Sequence, residues 1–182
     1  MDIDNVRLFV ERLESIGAIT CICKNIEELI QYLYDVIGEV KTPILVVGSK
    51  TDYREEILKK LKERYLEIQN VERGLIYDVY ASELSIGFPE LGIAFTGTVI
   101  YRASSGIEEA ALFAPEKHIS IISKSKLHYQ LNDVEGFLRN VLERGESVFF
   151  ITGPSSTADI EGEIVRGVHG PRKFYVLILD RY

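Results

Sequence analysis

Residues 42–70 read TPILVVGSKTDYREEILKKLKERYLEIQN, and a change of hydrophobic period within them decides the fold class. The run between Pro43 and Gly48 is continuously apolar, which is typical of a strand buried on both faces. The residues that follow repeat apolar positions at helical spacing and carry Glu-to-Lys pairs, with Thr51 or Asp52 as the N-cap. The stretch therefore predicts a buried strand, a short turn and a long amphipathic helix.

The same alternation extends in both directions along the chain. Upstream, the pattern predicts a helix ending near Gly17, a strand over 18–24 and a helix over 25–40 capped by Asn25. Strands alternating with helices imply parallel strands joined by crossovers, hence an α/β fold with a mostly parallel sheet covered on both faces. Downstream, the pattern predicts strand 74–81, short helix 89–94, strand 96–103, helix 106–114, strand 118–125, helix 131–145, strand 147–153, a helix from Thr157 and strand 174–180.

The size and charge of the chain limit the classes of function. At 182 residues it is expected to form a single domain over 1–182. A formal net charge of −7 argues against non-specific binding to nucleic acid or to an anionic membrane, since both need a basic surface. Because the sequence shows neither a secretory signal pattern nor an apolar run of about 20 residues, we expect a cytoplasmic protein with no membrane span.

Cys21 and Cys23 are the two cysteines of the chain. Alternation along a strand places both on the same face, where they are either a metal-binding pair or two small buried side chains in a reducing compartment. The second interpretation is favoured, because metal sites usually need more ligands. Two cysteines cannot supply the four thiolates of an ordinary iron–sulfur cluster. No cofactor is predicted for this chain.

Three turns have the composition of ligand-binding loops. In the first, Ser49 and Lys50 follow Gly48 and precede a helix, where the helix dipole and the lysine both favour an anion. A plain helix cap is the favoured explanation of the hydroxyls of Ser49 and Thr51, because every helix needs a cap. The second places Gly97 between Thr96 and Thr98. The third begins at Gly153, the last residue of strand 147–153, and places hydroxyls beside an expected helix start. Its residues are Gly153, Pro154, Ser155, Ser156 and Thr157.

The residues after the third turn carry the titratable groups. On a regular helix Asp159 and Glu163 share a face and Glu161 points the other way, so the acids serve either chemistry or the helix dipole. His169 lies in a Gly- and Pro-rich turn and is a candidate general acid or base, or a ligand contact. Arg172 is suited to grip a carboxylate or phosphate, or to pair with a neighbouring glutamate.

These motifs, met in order, resemble those of the lactate utilization protein family of the LutC and YkgG type, which is built on the LUD domain. The resemblance is carried by ITGPSSTADIEGEIVRGVHGPRKFYVLIL (151–179), GIAFTGTVIYRA (92–103) and APEKHISII (114–122). It implies a three-layer α/β/α sandwich similar to the NagB/RpiA/CoA transferase-like fold. It also implies a part in oxidising L-lactate to pyruvate, beside a cysteine-rich partner and an iron–sulfur partner.

The resemblance gives functional weight to specific positions. Two positions depart from the pattern: Phe95 stands where many relatives carry glutamate, and Ser156 where arginine is frequent. The resemblance implies that losing a carboxylate and a cation at these positions either alters the ligand or removes chemistry altogether. The weighted positions are Thr96, Gly97, Thr98, His118, Gly153, Pro154, Ser155, Thr157, Asp159, Glu161, His169, Gly170 and Arg172.

Three functional hypotheses follow. The leading one is an accessory subunit of a lactate-oxidising system, with a pocket for a small carboxylate or phosphate formed by the second and third turns, His169 and Arg172. The second is a stand-alone enzyme on a phosphorylated, nucleotide or folate-like substrate, in which Asp159 and Glu161 act as acid and base or hold magnesium. The third is a non-catalytic scaffold for iron–sulfur partner proteins.

Overall fold

The computed structural model of the chain describes residues 4–38, 40–65, 67–71, 76–158, 164–165 and 170–181. Within these ranges the helices are α1 (Asn5–Ser15), α2 (Ile26–Ile37), α3 (Asp52–Lys62), α4 (Ile76–Ala81), α5 (Gly106–Phe113) and α6 (Glu135–Glu143). The strands there are β1 (Ile19–Cys23), β2 (Ile44–Gly48), β3 (Ile68–Asn70), β4 (Leu84–Phe88), β5 (Leu91–Ile93), β6 (Thr98–Ala103), β7 (Lys117–Ser123), β8 (Leu127–His128), β9 (Ser147–Ile151), β10 (Thr157–Ala158), β11 (Ile164–Val165) and β12 (Lys173–Leu179).

The main sheet is built around the apolar run that opens the sequence analysis. Six strands in the described residues pair in the order β1-β12-β7-β4-β2-β3, and every pair is parallel. Strand β2 is buried over its first four residues. Parallel strands need crossover connections, which the helices provide, so the predicted α/β architecture is confirmed.

Helices cover both faces of this sheet. Ile44 and Val46 of β2 belong to a core cluster shared with α2 and α3, whereas Leu45 and Val47 belong to a second cluster shared with α1 and α5. Because successive side chains of a strand point to opposite faces, the two clusters lie on opposite sides of the sheet. The arrangement is the expected three-layer α/β/α sandwich.

A smaller sheet adds to the α1 side. Its strands pair in the order β8-β5-β6-β9, with β6 antiparallel to both neighbours. Val99 and Tyr101 of β6 enter the core cluster of α1, while Ile100 between them packs with Val134 at the start of α6. Strand β6 therefore has one face toward the main core and one toward α6.

Two predictions of element type near the middle of the chain are wrong. Helix α3 ends at Lys62, and residues 68–70, expected in that helix, form β3 because they pair with Ile44–Val46 at the edge of the sheet. Residues 76–81, expected as a strand, form α4, where Val79 is buried in the α1-side core. In both places a tertiary contact outweighs the local pattern.

Two further segments differ in the second half. Residues 91–93, expected as a short helix, form β5, in which Gly92 pairs with Val99, and a Cβ at Gly92 would lie 2.6 Å from Leu127 Cδ2. The helix expected from Thr157 is also wrong at its start, because residues 157–158 pair antiparallel with 164–165. The predicted anion site at the third turn therefore has no helix amino end at Thr157.

Candidate functional site

A row of three threonine hydroxyls joins the second and third predicted turns. Thr96 Oγ1 lies 2.7 Å from Thr98 Oγ1, which lies 2.9 Å from Thr152 Oγ1. The antiparallel pairing of β6 with β9 sets Val99 opposite Ile151 and so brings Thr98 and Thr152 side by side. The sequence analysis missed Thr152, since its partner is chosen by strand register and not by spacing along the chain.

The glycines of both turns lie against the end of α1. Gly97 has φ +66°, and a Cβ there would lie 2.8 Å from Arg12 Cβ and 2.9 Å from the Leu13 nitrogen. A Cβ at Gly153 would lie 2.9 Å from Ile16 Cδ1. At Gly97 the positive φ and the α1 backbone both favour glycine, and at Gly153 the nearest obstacle is the Ile16 side chain, so both turns pack on the carboxyl-terminal end of α1.

The third turn also meets the Gly170-Pro171-Arg172 segment. The Ser155 backbone N–H donates to the Pro171 carbonyl at 2.9 Å. A Cβ at Gly170, where φ is +148°, would lie 3.1 Å from Ser155 Cβ. Pro154 and Pro171 are both buried, which fixes the two segments against each other.

The remaining predicted residues of this region are placed as follows. Ser156 Oγ donates to the Pro154 carbonyl at 3.4 Å, and Thr157 begins β10. Arg172 Nη1 lies 3.9 Å from Glu116 Oε1, with 62% of the Arg172 side chain exposed, so this ion pair contributes little to stability. Asp159, Glu161 and His169 lie outside the described residues, and their roles stay predictions.

The structure gives His118 interior partners. Its ring is fully buried, with Nδ1 2.7 Å from Ser85 Oγ and Nε2 3.1 Å from Tyr101 Oη, which in turn lies 2.7 Å from Ser120 Oγ. The ring also stacks on Phe174 at a centroid distance of 5.8 Å. Burial lowers the pKa of His118 to about 3, so the imidazole is neutral at pH 7. Its predicted ligand contact would require this hydrogen-bonded cluster to open.

The first predicted turn has the expected strand–turn–helix geometry. Gly48 has φ +96°, Thr51 caps α3 by accepting from the Arg54 N–H, and the Ser49 N–H donates to the Phe88 carbonyl at 2.7 Å. Beneath the turn, Arg54 Nη1 donates to the carbonyls of Gly48 at 2.7 Å and Ser49 at 3.1 Å. The buried Arg54 guanidinium therefore holds the turn in place through hydrogen bonds to its backbone carbonyls.

The two cysteines share a face of β1, as strand alternation predicts. Their Sγ atoms lie 3.8 Å apart, and Cys23 is fully buried. Burial, with Cys21 beside it, raises the pKa of the Cys23 thiol to about 12, which keeps that thiol protonated near neutral pH. Among the residues that the structure describes, no group of three or more His, Cys, Asp or Glu side chains is arranged to hold a metal ion.

No helix within the described ranges is both long enough and apolar enough to span a bilayer.

Known proteins resemble the chain in sequence and in fold. The family model of the LUD domain matches residues 6–179. Lactate utilization protein C of Halalkalibacterium halodurans (strain C-125) is 32% identical over 165 residues, which cover 86% of this chain and 72% of the relative. The proteins of the same name from Geobacillus sp. (strain WCH70) and Bacillus subtilis (strain 168) are each 35% identical, over 56% and 55% of this chain. These two alignments span 45% and 44% of the relatives' own lengths.

A solved structure shares the architecture. The crystal structure of a DUF162 family protein from Deinococcus radiodurans superposes with a TM-score of 0.70 at 17% identity, covering 97% of this chain and 96% of that one. At this identity the likeness shows the fold. The family itself is shown by the match over residues 6–179 and by the relative from Halalkalibacterium halodurans. This chain belongs to the LUD domain family.

Proposed function

We propose that the chain takes part in lactate utilization as an accessory subunit of an L-lactate oxidation system, and that it binds a small carboxylate. The observation that carries the proposal is the meeting of the threonine row (Thr96, Thr98 and Thr152) with the Gly153–Ser156 turn and the Gly170–Arg172 segment. The first two of these meet at one end of α1, and the Gly170–Arg172 segment contacts the Gly153–Ser156 turn. The relatives named lactate utilization protein C support the same role.

The chemistry of this meeting point suits a hydroxycarboxylate. Threonine hydroxyls both donate and accept hydrogen bonds, so the row can pair with a ligand hydroxyl or with a carboxylate oxygen. Arg172 supplies an exposed guanidinium, the side chain best shaped to grip a carboxylate with two parallel hydrogen bonds. His169 is the proposed acid or base or ligand contact, and Asp159 and Glu161 stay further candidates for acid or base.

The proposal also assigns electron transfer to other chains. The resemblance to the lactate utilization family implies an iron–sulfur protein and a cysteine-rich protein as partners. The two cysteines of this sequence, fewer than the four thiolates of an ordinary cluster, are consistent with that division. Co-expression of a tagged chain with an iron–sulfur protein of a lactate utilization system, followed by affinity purification, tests this assignment. Elution of the chain without that protein, at low and moderate salt, would remove the partner from the proposal.

Growth on L-lactate tests the functional role. We expect the chain to restore growth of a Bacillus subtilis strain that lacks its lactate utilization protein C, with L-lactate as sole carbon source. His169→Ala should abolish the rescue. Arg139→Ala, which alters an exposed arginine paired with Glu135 on α6, should retain it. Lack of rescue by a wild-type chain that is present at normal level, as seen by immunoblot, would contradict the role.

A further inference from the structure

A second polar site lies at the carboxyl end of β2. It is a cleft of about 260 Å³, lined by both polar and charged side chains, among them Ser49, Lys50, Arg102, Ser104, Glu108 and Glu146. The cleft is separate from the threonine row, because Thr98 begins β6 whereas Arg102 lies near its other end. The sequence analysis singled out Ser49 and Lys50, but the glutamates and Arg102 come from other elements.

A fixed guanidinium forms one wall. Arg102 Nε donates to Glu90 Oε1 at 2.9 Å, and Arg102 Nη1 donates to Glu146 Oε2 at 3.0 Å. The second oxygen of Glu90 accepts from the Ser49 hydroxyl at 3.1 Å. These hydrogen bonds, the one to Glu90 first, raise the pKa of Arg102, which stays cationic. The carboxylates of Glu90 and Glu146 therefore accept hydrogen bonds from Arg102 and Ser49 and do not act as free negative charges.

Two helices point their amino ends at the cleft. Thr51 caps α3 next to Lys50, and Ser105 caps α5 next to Ser104. Each amino end carries a positive partial charge. Under the amino end of α3 lies the guanidinium of Arg54, a residue that is only 1% exposed. It donates hydrogen bonds to two backbone carbonyls. The α3 side of the cleft thus holds the cations Lys50 and Arg54 at the amino end of a helix whose first turn also carries Asp52 and Glu55.

Hydrogen-bond acceptors and hydroxyls occupy the α5 side. Glu108 Oε2 accepts from the Ser104 backbone N–H at 2.7 Å and from the Ser104 hydroxyl at 2.9 Å. Glu146 lines the same cleft with 19% of its side chain exposed. Carboxylate oxygens that are held in place suit the hydroxyl groups of a ligand, which donate to them.

We propose that this cleft binds a small hydroxylated organic anion, with the anionic group at Lys50 and the amino end of α3 and the hydroxyl groups toward Glu108 and Glu146. The volume supports a small ligand: at about 30 Å³ per water-sized group, the cleft of about 260 Å³ holds roughly nine such groups. That is below the size of ordinary drug-sized pockets. The inference is independent of the proposed lactate role in the residues that it uses, so a variant at Lys50 tests the cleft and a variant at Arg172 tests the lactate site.

Calorimetric titration at low salt with three probes tests the proposal. Glycerol 3-phosphate and D-glycerate share a hydroxylated three-carbon skeleton and differ in the anionic group, and glycerol has the hydroxyls without the charge. We expect at least one of the two anions to bind, with glycerol giving no saturable heat. The anion that binds more tightly identifies the headgroup as phosphate or carboxylate.

The variants assign any binding to the cleft. Lys50→Ala and Lys50→Gln should each weaken the anion by roughly ten-fold or more, as expected for loss of a charge-assisted contact. Lys59→Ala changes an exposed lysine toward the other end of α3 and should leave the affinity within about two-fold. Equal effects of the Lys50 and Lys59 variants, tight binding of glycerol, or no binding of either anion at millimolar concentration would overturn the proposal.

Discussion

At the scale of single residues, His118 of the segment APEKHISII (114–122) is fully buried in the protein interior. The imidazole, the Tyr101 phenol and the hydroxyls of Ser85 and Ser120 form one buried hydrogen-bonded cluster between the two sheets. Gly87 gives the cluster its space, since a Cβ there would lie 2.7 Å from His118 Nε2. A buried polar group is tolerated when its hydrogen bonds are made, and this cluster meets that condition.

The cluster predicts an acid-sensitive stability. The folded-state pKa of His118 is lowered to about 3 by burial, below its ordinary value of 6.5. Between these values the unfolded chain binds a proton that the folded chain does not. The free energy of unfolding should therefore fall as the pH falls through this window, with a contribution of up to about 1.4 kcal/mol per pH unit.

Urea unfolding at several pH values from 7 to 4 measures this slope. His118→Gln should be less stable at pH 7 and should lose the His118 contribution to the slope. His128→Gln, at the half-buried histidine of β8, serves as the matched control and should keep it. The same pH slope in wild type and His118→Gln would show that the neutral imidazole is not what links stability to pH.

Residue types that cap helices or alternate in strands were predictable, whereas residues that meet across elements were not. The cap of α3 at Thr51 and the shared face of Cys21 and Cys23 follow from local rules, and the structure has both. Thr152 and Arg102 reach their sites through the pairing of β6 with its neighbours. Their partners lie on other strands, so no spacing in the sequence marks them.

At the scale of elements, the turn between β2 and α3 decides whether the first predicted site can form. Gly48 has φ +96°, and a Cβ there would collide with the Phe88 carbonyl oxygen of the neighbouring strand. The backbone conformation alone would cost a side chain about 1–2 kcal/mol. The collision adds to that cost, because the obstacle is the backbone of β4, an inner strand of the sheet that cannot move aside easily.

Gly48→Ala should therefore lower the free energy of unfolding by more than about 2 kcal/mol. Gly38→Ala is the matched control: Gly38 also has a positive φ, +62°, but a Cβ there meets nothing within 4 Å. Chemical denaturation of the two variants separates the conformational cost from the collision. A loss no larger for Gly48→Ala than for Gly38→Ala would mean that the turn moves away from Phe88 at little cost.

The helices and strands also divide into those that the local sequence predicts and those that contacts with other elements decide. Long apolar or amphipathic segments such as β2, α2 and β12 were predicted close to their observed bounds, because a regular hydrophobic period over many residues favours one structure. Short segments were decided by neighbours. Residues 91–93 become β5 because β6 and β8 flank them, and residues 157–158 become β10 because 164–165 pair with them.

At the scale of the whole molecule, two candidate sites are linked by the pair of β6 and β9. The threonine row lies at the end of this pair that holds Thr98 and Thr152, and the cleft of Arg102 lies at the other end, where Arg102 pairs with Val148. The three-layer sandwich could be predicted from the alternation of elements. The small sheet that carries both sites could not, because it begins with the short β5 and depends on antiparallel pairing.

The central claim is that the threonine row and the Gly170–Arg172 segment form a carboxylate site. Calorimetric titration of the pure chain with L-lactate and pyruvate tests it most directly. We predict saturable binding of one or both, weakened by roughly ten-fold or more in Arg172→Ala and unchanged in Arg139→Ala. No saturable binding of either compound at millimolar concentration, or equal affinity in wild type and Arg172→Ala, would contradict the claim.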